Sequence, residues 1–283
     1  TTYNNGIKDQ RYYNITVEQL LRHQAGFNNY AGDPVSSTRY IMMQNRLTTP
    51  PDHKTLLKIL LKRHLGYTPG EGKCYSNLGY IILSMIIEKK SGMKYENFMK
   101  KYVLQPAGCY DMHIAGTYYK DRRPNETKYY MHQGSIPVYE YNNSGRMVEK
   151  CYGDTDLPRL SGAGAWCGSA AELSRLIASI DGLPHVKDIL SKKSIQFMTT
   201  EQPDHQYSIG WNYTPKSNRP WIRTGSLAGT SAIVLKYPDG QCWILITNTS
   251  TWKGHGFSND TVAFFEKLRK QFMADMPKKD LFI

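Results

Sequence analysis

Two short runs carry residue types that could do chemistry together. The first is Tyr75-Ser76-Asn77, which follows the turn-forming stretch Thr68-Pro69-Gly70-Glu71-Gly72 and precedes an apolar helical run. In extended backbone, residues i and i+2 project to the same side. Tyr75 and Asn77 are therefore expected to face one cleft. A tyrosine of ordinary pKa, roughly 10, is a weak base at neutral pH. It becomes useful only where neighbouring cations stabilise the phenolate. Asn77 can orient a substrate amide because it donates and accepts at once. The second run is Arg223-Thr224-Gly225-Ser226, at the end of an expected strand. Gly225 lets a ligand approach the strand backbone closely, and Arg223 with the Thr224 hydroxyl could hold a substrate carboxylate. Taken singly, each run also fits a purely structural reading: a helix cap with a packed Tyr, and a strand end with its turn.

Metal and cofactor chemistry is not expected. His23, His113, His205 and His255 do not stand at ligand spacing, and the five cysteines (Cys74, Cys109, Cys151, Cys167 and Cys242) are widely spaced with no Cys-x-x-Cys pair. The reading is free, mostly buried thiols, with one or two disulfides at most. Trp211, Trp221 and Trp243 read as core rather than as a sugar platform.

The elements that must position the two runs follow from periodicity and punctuation. Thr16 is an expected N-cap with Gln19 completing a capping box, Leu20 and Leu21 begin an apolar face, and Gly26 ends the helix. Residues 52–65 form an amphipathic helix with Leu56, Leu57, Leu60 and Leu61 on one face. A helix runs from Leu78 to Lys90 and stops before Gly92, and a shorter one spans Tyr95 to Tyr102. The stretch from about 111 to 160 reads as loops and short strands, and Ala170 to Ile180 is helical. Strands are expected at Tyr207–Tyr213, Trp221–Thr224, Ser231–Tyr237 and Trp243–Thr247, with Pro238-Asp239-Gly240 turning between the last two. Residues 258–273 form a closing helix. The layout is α+β: one domain over 1–283, with a mainly helical and loop subdomain at 15–165 and a sheet with a C-terminal helix at 166–283.

The 283 residues suffice for a large core. No run of about 18 apolar residues is present, so no membrane span is expected. The net charge of +12 is spread over short pairs such as Lys100-Lys101 and Arg122-Arg123. No basic stripe interleaved with aromatics appears, so nucleic acid is not an expected partner.

Order along the chain adds what single motifs lack. Ile15-Thr16-Val17-Glu18-Gln19-Leu20-Leu21-Arg22-His23-Gln24-Ala25-Gly26, Pro69-Gly70 with Tyr75-Ser76-Asn77-Leu78-Gly79-Tyr80, Ser91-Gly92-Met93-Lys94-Tyr95, Gln105-Pro106-Ala107-Gly108, Ser161-Gly162-Ala163-Gly164 and Arg223-Thr224-Gly225-Ser226 resemble, in order, the segments of the serine β-lactamase and penicillin-binding-protein superfamily. The branch resembled is that of class C β-lactamases, D-alanyl-D-alanine carboxypeptidases and related esterases. The resemblance implies a β-lactamase/transpeptidase-like fold. It implies a proton-relay role for Tyr75, a substrate-amide role for Asn77, substrate binding by Arg223, Thr224 and Gly225, and an oxyanion-hole N–H at Ser226. It also implies acyl-enzyme chemistry on a β-lactam, a D-amino-acid peptide or a small ester, with cell-wall-derived substrates included, and a place outside the cytoplasm.

Two departures stand out. The family's nucleophile lies in a Ser-x-x-Lys motif at a helix N-terminus, some tens of residues before the Ile15 segment. Only fourteen residues precede Ile15, and none is Ser. The two Ser-x-x-Lys matches in the chain, Ser91–Lys94 and Ser250–Lys253, stand in the wrong places for it. The chain is accordingly expected to be N-terminally truncated. A non-catalytic binding protein and a fragment working beside a separate N-terminal chain are the alternatives. In addition, the strand motif begins with Arg, which holds its charge and cannot shuttle protons.

Overall fold

In a computed structural model the described residues are 6–28, 33–200, 208–212, 214, 218–249 and 255–273. Helix α1 (Val17–Leu21) starts at the expected capping box: the Gln19 N–H donates to Thr16 Oγ1 at 3.2 Å, and the Thr16 N–H donates to Gln19 Oε1 at 2.9 Å. The helix stops at Arg22, earlier than the expected Gly26, because His23 takes a left-handed φ of 56°. Gly26 has another duty. With φ at +90°, a Cβ there would lie 2.6 Å from the Tyr67 carbonyl oxygen, so only glycine lets that strand of loop pass.

Helix α2 (Thr38–Gln44) was not expected. Helix α3 (His53–Leu60) begins at the Asp52 cap, whose Oδ1 accepts from the Thr55 N–H, and buries Leu56 and Leu60. Helix α4 (Asn77–Ser91) buries Leu78, Ile81 and Ser84 and ends on the left-handed Gly92. These helices enclose a first core with Leu20, Phe27, Ile41 and Leu65. Helix α5 (Tyr95–Met99) runs into a π-type turn at Lys100–Leu104.

The middle of the chain is loop-rich, as expected. Strand β1 (His113–Ile114) pairs with β4 (Trp166–Cys167), setting His113 opposite Cys167, and β2 (Val138–Tyr139) pairs with β3 (Met147–Val148). Helix α6 (Leu157–Leu160) precedes β4; α7 (Ala170–Ala178) and α8 (Lys192–Thr199) follow it.

The principal sheet is an antiparallel β5-β6-β7 meander of Trp221–Leu227, Thr230–Lys236 and Cys242–Thr247. Gly240, at φ +94°, completes the expected turn between β6 and β7. Helix α9 (His255–Phe272) covers one face, where Ile233, Leu235, Tyr237 and Phe265 form a core with Ile222 and Trp243. The other face packs Val234 and Trp221 against Trp211 and Ile177 of α7. All three tryptophans are thus in packed cores, as expected. The expected strand at 207–213 is not formed over its described residues 208–212, and the rest of it lies outside the described residues. The five cysteines are free thiols. No helix among the described residues is long and apolar enough to cross a membrane.

Candidate active site

His23 organises the Tyr75-Ser76-Asn77 loop. The chain from Gly66 to Ser76 runs back along residues 23–26 through backbone bonds: Gly66 N–H to the Gly26 carbonyl, Gly70 N–H to that of Gln24, and Cys74 N–H to that of His23. The Ser76 N–H then donates to His23 Nδ1 at 3.1 Å, and the Tyr67 hydroxyl donates to the His23 carbonyl at 3.2 Å. The imidazole lies against Tyr75, ring centroids 4.4 Å apart, and against Tyr80 at 5.2 Å. Asn77 opens α4, and its N–H donates to Asp33 Oδ2 at 2.9 Å. The left-handed backbone at His23 turns the ring toward this loop, so a residue expected to be merely structural is its anchor.

Burial pushes the His23 pKa from 6.5 down to about 4, and the positive charge of Arg223 acts in the same direction. The ring is neutral at pH 7. Because Nδ1 accepts from Ser76, its proton sits on Nε2. The folded pKa lies below the unfolded one, so between pH 6.5 and about 4 the unfolded chain binds more protons. Stability from this group is complete above pH 6.5 and is lost as pH falls toward 4, at about 1.4 kcal/mol per unit of pKa. His23→Asn should flatten the pH dependence of the urea midpoint in that window; an unchanged slope would contradict a buried neutral imidazole.

Arg223 belongs to β5. Alternation along the strand places Trp221, Arg223, Gly225 and Leu227 on the face opposite α9: Trp221 packs toward α7, Leu227 joins the helical core, and Ile222 packs toward α9. The Arg223 charge is felt at both His23 and Tyr80. The Arg223 charge thus lies near the His23 and Tyr80 rings that flank the Tyr75 loop. Burial raises the Tyr80 pKa, and Arg223 opposes that rise. A Cβ added at Gly225 would meet nothing within 4 Å, so the backbone there lies open.

Strand β5 is the outer strand of the sheet among the described residues. Its outer edge is marked by two bonds: the Asn212 N–H donates to the Ile222 carbonyl at 2.9 Å, and the Thr224 N–H donates to Asn212 Oδ1 at 2.8 Å. Successive backbone groups alternate between the two edges of a strand. The Ser226 N–H, two residues beyond Thr224, therefore points to the same open edge.

A cavity of about 550 Å³ lies between the sheet and the loop-rich middle of the chain. Its floor is a row of residues in register across three strands, Gly225, Ala232 and Ile246, where the glycine and the alanine leave the sheet hollow. Trp166 and Leu173 are among its walls. Gly225 and Ser226 line it, whereas Tyr75, Asn77, Arg223 and Thr224 do not. The residues singled out from sequence thus fall into two groups, Tyr75 with Arg223 around His23, and Gly225 with Ser226 at the cavity.

Ser91, in the Ser91–Lys94 match, sits at the C-terminal end of α4. Its hydroxyl donates to the Ile87 carbonyl at 2.7 Å and accepts from the Met93 N–H, a capping duty rather than that of a nucleophile at a helix start. The Ser250–Lys253 match and His205 lie outside the described residues. One group escaped sequence reasoning altogether: His113, Glu126 and Cys167 converge beside the cavity, with ligand atoms within 4.8 Å of one another. No linear spacing signals it, because the β1–β4 register brings its members together.

The beta-lactamase family profile matches residues 7–265. The chain is similar to penicillin-binding protein 4* of Bacillus subtilis, with 25% identity over 243 residues, 81% of this chain and 50% of that protein. It is also similar to the putative penicillin-binding protein PbpX of the same organism, with 28% identity over 204 residues, 72% of this chain and 44% of that one. The chain spans about half the length of these curated relatives. Among solved structures it is similar to the D-amino acid amidase from Ochrobactrum anthropi SV3 in complex with D-phenylalanine, with TM-score 0.64, 18% identity and coverage of 91% and 79%. A penicillin binding protein from Bacillus halodurans matches with TM-score 0.65, 18% identity and coverage of 91% and 73%. At such identities the structural likeness is one of fold, and it agrees with the α+β, β-lactamase/transpeptidase-like architecture expected from sequence. With its profile matched over nearly the whole length, the chain belongs to the beta-lactamase family.

Proposed function

We propose that the protein is a serine hydrolase that works through an acyl-enzyme on a β-lactam, a D-amino-acid peptide or a small ester. The observation that supports this reading is that the Arg223 charge on β5 bears on the His23 ring against which Tyr75 packs. A serine oxygen attacks the substrate carbonyl, its proton passes by way of the Tyr75 oxygen to the leaving group, and water later releases the acyl group. The Ser226 N–H, on the open edge of β5, donates to the developing alkoxide, a contact worth about 3 kcal/mol in acyl-transfer enzymes. Asn77 orients the substrate amide. Gly225 admits the substrate to the strand, and Arg223 with Thr224 holds its carboxylate. The nucleophile in this reading belongs to a Ser-x-x-Lys segment outside the 283 residues, and the protein acts outside the cytoplasm, on substrates that include cell-wall fragments.

Arg223→Ala tests the carboxylate clamp. A charge-assisted hydrogen bond contributes about 1.5–3 kcal/mol, so KM for carboxylate-bearing substrates should rise by about 10- to 100-fold. KM for neutral esters should change little. Equal effects on both classes would contradict the clamp.

A further inference from the structure

We propose that His113, Glu126 and Cys167 form a binding site for a zinc-class divalent cation on the wall of the central cavity, with a fourth coordination position open toward that cavity. The expectation of no metal rested on linear spacing. The fold brings the three together by other means. His113 and Cys167 are direct partners in the β1–β4 pair. Glu126, from the loop that follows β1, reaches back so that its Oε2 lies 3.3 Å from His113 Nε2. Both side chains of that pair are buried. The three ligand atoms lie within 4.8 Å of one another. Ligands on a tetrahedral zinc are about 3.3–3.6 Å apart, given bonds of about 2.0–2.3 Å, so side-chain shifts on the order of an ångström complete the site.

A second observation points to a cation. His113 Nδ1 is 2.8 Å from the Asp111 carbonyl, which can only accept, so Nδ1 carries the proton. In the neutral ring, Nε2 then presents its lone pair to the Glu126 carboxylate, which also only accepts. The Nε2 lone pair and the carboxylate oxygen, 3.3 Å apart, thus converge on one point that a cation can occupy. The Nδ1–carbonyl bond is also the outer contact that orients a metal-binding imidazole. The Tyr129 hydroxyl donates to Glu126 Oε1 at 2.7 Å and lies 3.6 Å from Cys167 Sγ, while the Arg123 N–H donates to Glu126 Oε2. Of the carboxylate's roughly four acceptor sites these bonds leave room for a metal.

The nitrogen, oxygen and sulfur set suits zinc among common divalent ions. Binding would release the Cys167 thiol proton to water. One thiolate, one carboxylate and a neutral imidazole then balance the double positive charge of the ion. Glu126, Tyr129 and Cys167 line the cavity, which gives the ion a path in and gives the open position a route to a water or a substrate oxygen.

The test uses the full-length protein without a histidine tag. After gel filtration, elemental analysis should find about one zinc per chain. Chelator-treated protein, still folded by circular dichroism, should take up Co²⁺ and show a thiolate-to-cobalt charge-transfer band. Cys167→Ser should abolish that band, and Cys167→Ser and Glu126→Gln should each weaken metal binding by about 10-fold or more. Should a variant fail to fold, the wild-type cobalt spectrum decides alone. Folded wild-type protein that takes up neither ion, leaving an imidazolium–carboxylate pair only, would overturn the proposal. So would uptake without a thiolate band, or uptake unchanged in folded variants.

Discussion

Tyr75→Phe in the full-length protein should lower kcat/KM by about 10²- to 10⁴-fold, the usual worth of a positioned general acid–base group. The loss should fall mainly on kcat, because the substituted atom acts on the travelling proton and not on substrate binding. The ring itself should stay where it is. It packs on His23 with centroids 4.4 Å apart, and that contact needs no hydroxyl. Tyr75 is about one-third exposed, so the stability change should remain within about 1 kcal/mol. Activity and stability thus separate. A kcat near wild type would remove Tyr75 from the chemistry, and a parallel loss of stability and activity would make it a packing residue.

Asp181→Ala should destabilise the fold by about 3–5 kcal/mol, the usual cost of removing one partner of a buried ion pair. Lys236, near the end of β6, is buried, and its Nζ lies 3.1 Å from Asp181 Oδ2 in the segment following α7. Among the described residues its other hydrogen bond goes to the Tyr237 carbonyl at 3.3 Å. Removing the carboxylate leaves a buried ammonium with that single neutral partner. The apolar double replacement Asp181→Leu with Lys236→Met should recover most of the loss, because the desolvation cost of both ions disappears together. Urea midpoints measured at constant m-value give the comparison. A single variant within about 1 kcal/mol of wild type would show that water reaches the pair.

Much of this fold could be read from the chain because its signals are local. Thr16 and Gln19 announce a helix start by their own hydrogen bonds, and Pro238-Asp239-Gly240 fixes a hairpin by backbone geometry. The helices that were missed have weaker signals. Helix α2 buries the adjacent Ile41 and Met42, without a spaced apolar face, and Ser37 makes no side-chain cap. Helix α8 has a cap, the Ser194 N–H donating to Ser191 Oγ at 3.1 Å, but buries only Ile195. The helix expected over 52–65 ends at Leu60 with Leu61 as its C-cap, just before the basic Lys62-Arg63-His64 run. Aromatic content over 207–213 suggested a strand, yet Trp211 is buried by packing edge-on to Trp221, not by sheet pairing.

The candidate site divides along the same line. Tyr75-Ser76-Asn77 and Arg223–Ser226 are contiguous runs, so their residues could be named from the chain. The anchoring of the loop by His23 depends on a left-handed turn and on a bond from the Ser76 N–H to the ring, across 53 residues. The meeting of His113 with Cys167 depends on strand register. Neither leaves a trace in spacing.

Intact-mass analysis of the full-length protein after incubation with a fluorophosphonate or a penicillin tests the acyl-enzyme claim most directly. The prediction is one covalent adduct per chain, mapped by peptide digestion to the serine of a Ser-x-x-Lys segment and formed far more slowly in Tyr75→Phe. A folded protein that contains that segment and gains no mass would contradict it.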